Sequence, residues 1–429
     1  MKDVKDLTVM VVDNGIFCEA AIRMARDAKR VLYFPGGTGV APRLREQKIG
    51  SGMPEIEVVD SPFKYHKEVD LYYFTDIYHG DMQDMLVSLD KPVWGSRIGQ
   101  DMELKRDKLK KELKKRGLLV APWVKIVGLT NLREYLKKNG EGKFVKVNYY
   151  RGIAETFHCI NYREIESVLD DIGYREGPLR EQIEFIVEDE LPDCVEIGED
   201  TYNVDGEFPS QYMSGIEVKD KSYVGIFKKR KEFPKVLTEW SDTMSEVFRR
   251  YGYRGFYSTE MRVNAKQEGY MIDFTARNPD PPSPLYMELY DNFTEIIWAG
   301  ANGELIDPKP IAKFGVQIIF SSNWAAENWQ EIIFPEKYRR NIKLKHPCKV
   351  EDRYYSIPNH NHWEEIGAVV AWGKTLESAI EEAKKIAEEI KGHGIEANSD
   401  SLDEAEEAIE KLDKFGVNYF KEEKNSEYQ

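Results

Sequence analysis

A chain of 429 residues is too long to fold around one core and calls for two to four packed subdomains. Its composition, 41% hydrophobic, 32% charged and 12% aromatic, is that of a soluble globular protein, and no apolar run approaches the length of a membrane span. The net charge of −15 argues against nucleic-acid binding, because phosphate contacts need Lys and Arg in excess.

Residues 7–12 read as a buried strand, and Asp13-Asn14-Gly15 turns the chain into a helix over 17–29. A second strand at 31–34 closes on Pro35-Gly36-Gly37-Thr38-Gly39, which is either a tight turn or an anion-binding nest of backbone amides. A strand at 70–74, a helix over 81–89 and a short strand at 92–95 continue the pattern of a small parallel α/β domain. The first turn carries no Gly-x-Gly-x-x-Gly, so a dinucleotide-binding reading has little support. The start lacks the apolar core of a signal peptide. The four cysteines, Cys18, Cys159, Cys194 and Cys348, have no metal or redox spacing. A cytoplasmic location is therefore expected. His360 and His362 form the one near pair among the seven histidines, and Pro358 before them favours a loop.

A charged helix over 103–116 ends at Gly117, and 118–123 and 144–147 read as strands. A helix is expected at 176–182, a strand at 184–187 and a long amphipathic helix over 234–251. Further strands fall at 315–321 and 366–372, with helices at 376–391 and 402–414 and a frayed tail at 421–429.

Between the long helix and the later strands, two strand-like runs flank a polar turn ending in Gly269. With the turn centred between Lys266 and Gln267, Glu260 lies across from Asp273, and Thr275 and Arg277 share the face of Asp273. Two opposed carboxylates repel each other unless a cation sits between them. Oxygen ligands beside an Arg suit Mg²⁺ holding a polyphosphate, as in an enzyme that uses ATP. The stiff exit Asn278-Pro279-Asp280-Pro281-Pro282 is unlike a generic surface loop.

Other residues suit the same chemistry. Lys146 lies inside an apolar strand, where a lysine is costly to bury unless paired. It either meets a phosphate or faces solvent from an edge strand. Lys108 sits in a run of charges that composition alone assigns to a solvated face. The strand running into Glu188, Asp189 and Leu191, followed by Glu196, could line an adenosine site, though many strands end in acidic turns. Around Gly152, Arg151 could clamp phosphates from a mobile loop, or the segment is an ordinary turn.

The order of these motifs resembles the ATP-grasp superfamily along nearly the whole chain. It runs from an α/β domain to Asp107-Lys108, then Lys146, the strand into Glu188, and finally Glu260, Asp273 and Arg277. The resemblance implies that Lys108 and Lys146 contact ATP phosphates. It implies that Glu188, Asp189 and Leu191 form the adenine-binding linker and that Glu196 takes the ribose hydroxyls. It also implies that Glu260 and Asp273, with Thr275, hold Mg²⁺ or Mn²⁺. The implied fold is α/β, with α+β character in the lid. An N-terminal parallel domain spans 1–100, and an ATP-grasp region spans 101–300 with a lid at about 120–190. The rest of a central antiparallel domain and a small C-terminal domain span 301–429.

Within the superfamily the chain is most similar to phosphoribosylamine–glycine ligase. Ile272 through Pro281 looks like that family's Glu-Phe-Asn-x-Arg-Phe-Gly-Asp-Pro run. Residues 34–39 look like its early Pro-Gly-Asn-x-Gly turn, and residues 366–390 look like its C-terminal domain. Thr275 stands where that family has Asn, and Asp273 where it has Glu. Residues 148–156 replace the Gly-rich lid loop, and Thr75 through Gly80 replace a Gly-Pro-Glu motif. The implied activity is ATP-dependent joining of a carboxylate to an amine through an acyl phosphate, in the manner of purine biosynthesis, with Arg277 and Arg151 assisting. The alternatives are another ATP-grasp reaction on a different acid and amine or on a hydroxyl, or a nucleotide-binding protein that has lost catalysis. The expected partners are a small-molecule acid and amine, with no nucleic acid and no membrane, in a monomer or homodimer.

Overall fold

A computed structural model describes residues 2–36, 48–149, 156–358 and 364–420. The chain divides into two compact units. The first comprises Met1–Gln100, Glu196–Ser258 and Thr275–Gln429, and the second Asp101–Val195 and Thr259–Phe274.

The first unit opens with a parallel sheet in which the strands lie in the order Glu57–Val58, Arg30–Phe34, Thr8–Val12, Leu71–Phe74 and Val93–Trp94. Val9, Val11, Tyr33, Leu71 and Tyr73 face one core. Met10, Val12, Leu32, Tyr72 and Phe74 face another. Burial on both faces explains why these strands read as unbroken apolar runs rather than alternating ones. The strand order reverses at Thr8–Val12, so the loops after Val12 and Phe74 flank a topological switch point. The expected helix over 17–29 is shorter, Cys18–Met24.

The same unit holds an antiparallel sheet of six strands. Its path runs Gln211–Val218, Ser222–Lys229, Phe314–Ser321, Glu365–Gly373 and Ile342–Leu344, and Glu396–Ala397 pairs with Phe314–Ser321. Gly215, Gly225 and Gly315 face one another across its first three strands. Any Cβ at Gly315 would collide with Leu285 and Leu289 of the helix Ser283–Leu289. Helices Leu376–Ala387 and Ser401–Lys414 pack on this sheet.

In the second unit, four antiparallel strands lie in the order Trp123–Val127, Glu184–Asp189, Lys143–Val147 and Thr156–Cys159. Helices Leu129–Asn139 and Tyr162–Glu176 cover one face through Leu129, Leu132, Leu136, Ile165, Leu169 and Ile172. These meet Val145, Val147, Phe185 and Val187. By the two-residue alternation of strands, Lys146, Ile186 and Glu188 point to the opposite face. The expected helix at 176–182 is instead the end of Tyr162–Glu176 and a 3₁₀ turn, Gly177–Glu181, because Gly177 at φ 50 ends the longer helix. Among the described residues no helix is long and apolar enough to cross a membrane.

Candidate functional site

Lys146 is opposite Ile186 in the interior of the second unit's sheet and is 3% exposed, so the solvent-facing alternative does not hold. Its ammonium donates to the carbonyl of Ile272 at 2.8 Å and lies 3.4 Å from Asp273 Oδ2 and 3.7 Å from Glu188 Oε1. Burial alone would discharge it, but Asp273, Glu188 and Glu260 outweigh that cost and raise its pKa.

Helix Arg106–Lys115 supplies two more cations. Lys110 Nζ lies 3.0 Å from Glu188 Oε1, and both side chains are buried. Arg106 Nε lies 3.7 Å from Asp273 Oδ1, while its Nη1 donates to the carbonyl of Val147 at 2.7 Å. Arg106, Leu109, Lys110 and Leu113 are buried at i, i+3, i+4 and i+7, one helical face. Lys108 lies off that face and is exposed, so it does not join the cluster. Motif order points to Lys108, and the cluster holds Lys110 of the same helix. The signal that points to Lys110 instead is its phase with Leu109 and Leu113.

Glu260 and Asp273 lie on the hairpin strands Arg254–Val263 and Gly269–Thr275. Asn264 N donates to Glu268 O at 3.2 Å and Gln267 N to Asn264 O at 2.9 Å, so the turn centres on Lys266 rather than between Lys266 and Gln267. On a regular ladder that register would put Glu260 and Asp273 on opposite faces. In the second strand Met271 and Phe274 are both buried and Ile272 and Asp273 half-buried. The charges of Glu260 and Asp273 both reach Lys146. Asp273 is 20% exposed. Burial opposes its ionisation, but Lys146, Arg106, the Phe274 amide and Lys110 hold its carboxyl well below the usual range. Three cations, Arg106, Lys110 and Lys146, thus meet the charges of three carboxylates, Glu188, Asp273 and Glu260. Among the described residues no three His, Cys, Asp or Glu side chains make a self-contained metal site.

Asp189 ends its strand and pairs with Lys143 at 2.5 Å, and Leu191 is half-buried just beyond. Asn148 donates to Asp107 at 3.2 Å and to Glu184 at 2.9 Å, tying the helix to the end of the Lys146 strand. Arg151, Gly37 through Gly39, His360 and His362 lie outside the described residues.

Glu196, Thr275 and Arg277 belong to the first unit. Arg277 Nε is 3.4 Å from Asp76 Oδ1, just after the strand Leu71–Phe74. Asn278 N donates to Thr75 O at 3.1 Å, and the Asn278 amide donates to the Tyr73 hydroxyl. Asn14, after the first strand, donates to Asp76. The motif Arg277-Asn278 is thereby fixed at the switch point of the parallel sheet, where open α/β sheets bind ligands.

This is the fold of the ATP-grasp enzymes. Phosphoribosylamine–glycine ligase of Thermotoga maritima superposes with a TM-score of 0.67 at 15% identity, covering 91% of this chain and 99% of that one. Biotin carboxylase of Campylobacter jejuni, in complex with β,γ-ATP, gives 0.64 at 14% identity over 94% and 96%. The biotin carboxylase domain dimer of 2-oxoglutarate carboxylase from Hydrogenobacter thermophilus, with MgADP and bicarbonate, gives 0.65 at 12% identity over 99% and 100%. No protein-family model matches the chain, and no curated protein does.

Proposed function

We propose that the protein is an ATP- and magnesium-dependent ligase that joins a carboxylate to an amine. The observation that carries this reading is the buried cluster of Arg106, Lys110 and Lys146 with Glu188, Asp273 and Glu260 within the second unit. Buried cations of this density need anions, and Glu188, Asp273 and Glu260 supply them. A polyphosphate would take over Lys146 and Arg106 and release Asp273 for other work.

Glu260 and Asp273 are hard oxygen donors of the kind Mg²⁺ takes, one or two carboxylates with the remaining positions left to phosphate and water. Thr275 would add a weaker oxygen, and Mn²⁺ suits the same donors. When bound, the ion would neutralise phosphate charge. Arg106, Lys110 and Lys146 would hold the nucleotide phosphates, the Glu188–Leu191 strand end the adenine, and Glu196 the ribose. Arg277 would neutralise charge that develops on the transferred phosphoryl group, and Arg151 would close over the γ-phosphate. Transfer of that phosphoryl to a carboxylate gives an acyl phosphate, and an amine displaces phosphate from it to give the amide. Such catalysis rests on positioning and charge, with no covalent protein group.

A screen of acids with amines that reads ADP release tests the proposal, with glycine and phosphoribosylamine, the purine-pathway pair, as the first combination. Amide formed in step with ADP supports ligation, whereas a phosphorylated hydroxyl indicates a kinase. Magnesium-dependent ATP binding with no turnover across the panel would indicate a nucleotide-binding protein instead.

A further inference from the structure

Helix Tyr162–Glu176 stops at Gly177, and the 3₁₀ turn Gly177–Glu181 carries the chain aside before the strand Glu184–Asp189 begins. Between the helix end and the strand end lies an open pocket of about 290 Å³. That volume is near the lower end of small-molecule sites, which begin at roughly 300 Å³. Val147, Ile172, Leu179 and Ile183 supply its apolar lining. Val147 and Ile172 belong to the core under the helices, whereas Leu179 is 57% exposed. Val147 points to the helix-covered face of the sheet and Lys146 to the opposite one, so the pocket is separate from the cluster around Lys146.

The charges around this pocket favour a cation. Glu176 lines it, is half-buried and makes no ion pair among the described residues. Glu184 lines it too, beside Lys125 at 2.7 Å and the Asn148 amide at 2.9 Å. Arg175, the basic residue of the lining, pairs with Asp171 at 2.9 Å. Ile172, Arg175 and Glu176 form the last turn of their helix, where the helix dipole is negative. Tyr149 adds an aromatic ring, a surface that attracts cations.

We propose that this pocket binds a small amine with an apolar body. The body rests on Val147, Ile172 and Ile183, and the ammonium meets the Glu176 carboxylate. Leu179 closes the apolar side. The site does not depend on the ligase reading, because it uses none of the residues assigned there to phosphate or magnesium.

The test uses probes that share one apolar body and differ in charge: phenethylamine, phenethyl alcohol and hydrocinnamate. Each is titrated into the full chain carrying labelled Ile, Leu and Val methyl groups, and the NMR shifts of Val147, Ile172, Leu179 and Ile183 are followed. The amine is expected to shift these residues saturably, with a midpoint below about 10 mM. It should bind at least about fivefold tighter than the alcohol, and the acid should bind more weakly than both. Glu176→Gln should bring the amine to within about twofold of the alcohol and leave the alcohol's own affinity unaltered. Leu179→Trp, at an exposed position, should fill the pocket and abolish the shifts of Val147 and Ile172 with every probe. Absence of saturable shifts from the amine at these residues would overturn the proposal. Equal binding of amine and alcohol by the wild type, or amine binding unchanged by Leu179→Trp, would overturn it as well. Should Glu176→Gln fold poorly, the ranking of the probes on the wild type decides by itself.

Discussion

Lys110 Nζ and Lys146 Nζ converge on one oxygen, Glu188 Oε1, at 3.0 and 3.7 Å. The two lysines come from a helix and a strand 36 residues apart, and Glu188 is the carboxylate whose charge they share. Removing any member leaves its partners buried and uncompensated, so function and stability are coupled at this point.

Lys146→Met is accordingly expected to abolish turnover and also to cost about 3 kcal/mol or more, because Glu188 and Asp273 lose a shared cation. Denaturant unfolding with an unchanged m-value measures the cost. Full stability in the variant would show that the carboxylates are paired elsewhere.

Lys108 and Lys110 make a matched pair of tests. Lys108→Ala, on the exposed face, should change stability by less than about 0.5 kcal/mol and leave ATP affinity unaltered. Lys110→Ala should weaken ATP binding at least about tenfold and destabilise by about 3 kcal/mol. ATP titrations of the two variants decide, and the reverse ranking would favour Lys108.

In the first unit, Glu288 is fully buried among Lys343 at 2.6 Å, Arg340 at 2.6 Å and Arg26 at 2.8 Å. Glu288→Ala should cost about 3–5 kcal/mol, since a buried lysine is left with fewer partners. Thermal unfolding of the variant checks this. A change of less than about 1 kcal/mol would mean that Glu19, 3.9 Å from Lys343, suffices alone.

Asp200 gives a pH signature. Burial pushes its carboxyl up to about 6, against hydrogen bonds from Ser258 at 2.6 Å and Tyr223 at 2.7 Å. Its folded pKa exceeds the unfolded value, so the folded state holds the proton more tightly. The contribution is present at low pH and is lost as pH rises from about 4 through 6, by about 3 kcal/mol in all. Unfolding of the wild type and of Asp200→Asn at several pH values isolates the effect. The difference between the two should change across that window, and parallel curves would contradict it.

Much of the fold was legible in the sequence because burial leaves a period. The unbroken apolar runs at Thr8–Val12 and Leu71–Phe74 announced a parallel sheet. The helices Leu129–Asn139 and Tyr162–Glu176 went unread, although Leu129, Leu132 and Leu136, and Ile165, Leu169 and Ile172, carry helical spacing. Their dense surface charge hides narrow apolar stripes. Lys146 stood out because a charge inside an apolar strand needs a partner, and Asp273 because it was set against Glu260 across the hairpin. Arg106 and Lys110 did not, because one charged residue in a charged helix looks like another until the helical phase is fixed by what it packs on. The turn centre at Lys266 is set by the backbone bond between Asn264 and Glu268, and a one-residue shift within that polar run leaves no mark in the sequence.

The central claim is a magnesium-assisted ATP site built on Lys110, Lys146, Glu260 and Asp273. Calorimetric titration of the full chain with ATP, with and without Mg²⁺, tests it most directly. Saturable binding at one site per chain is expected, at least about tenfold weaker, or 1.4 kcal/mol, when Mg²⁺ is removed. No saturable binding in either condition would contradict it.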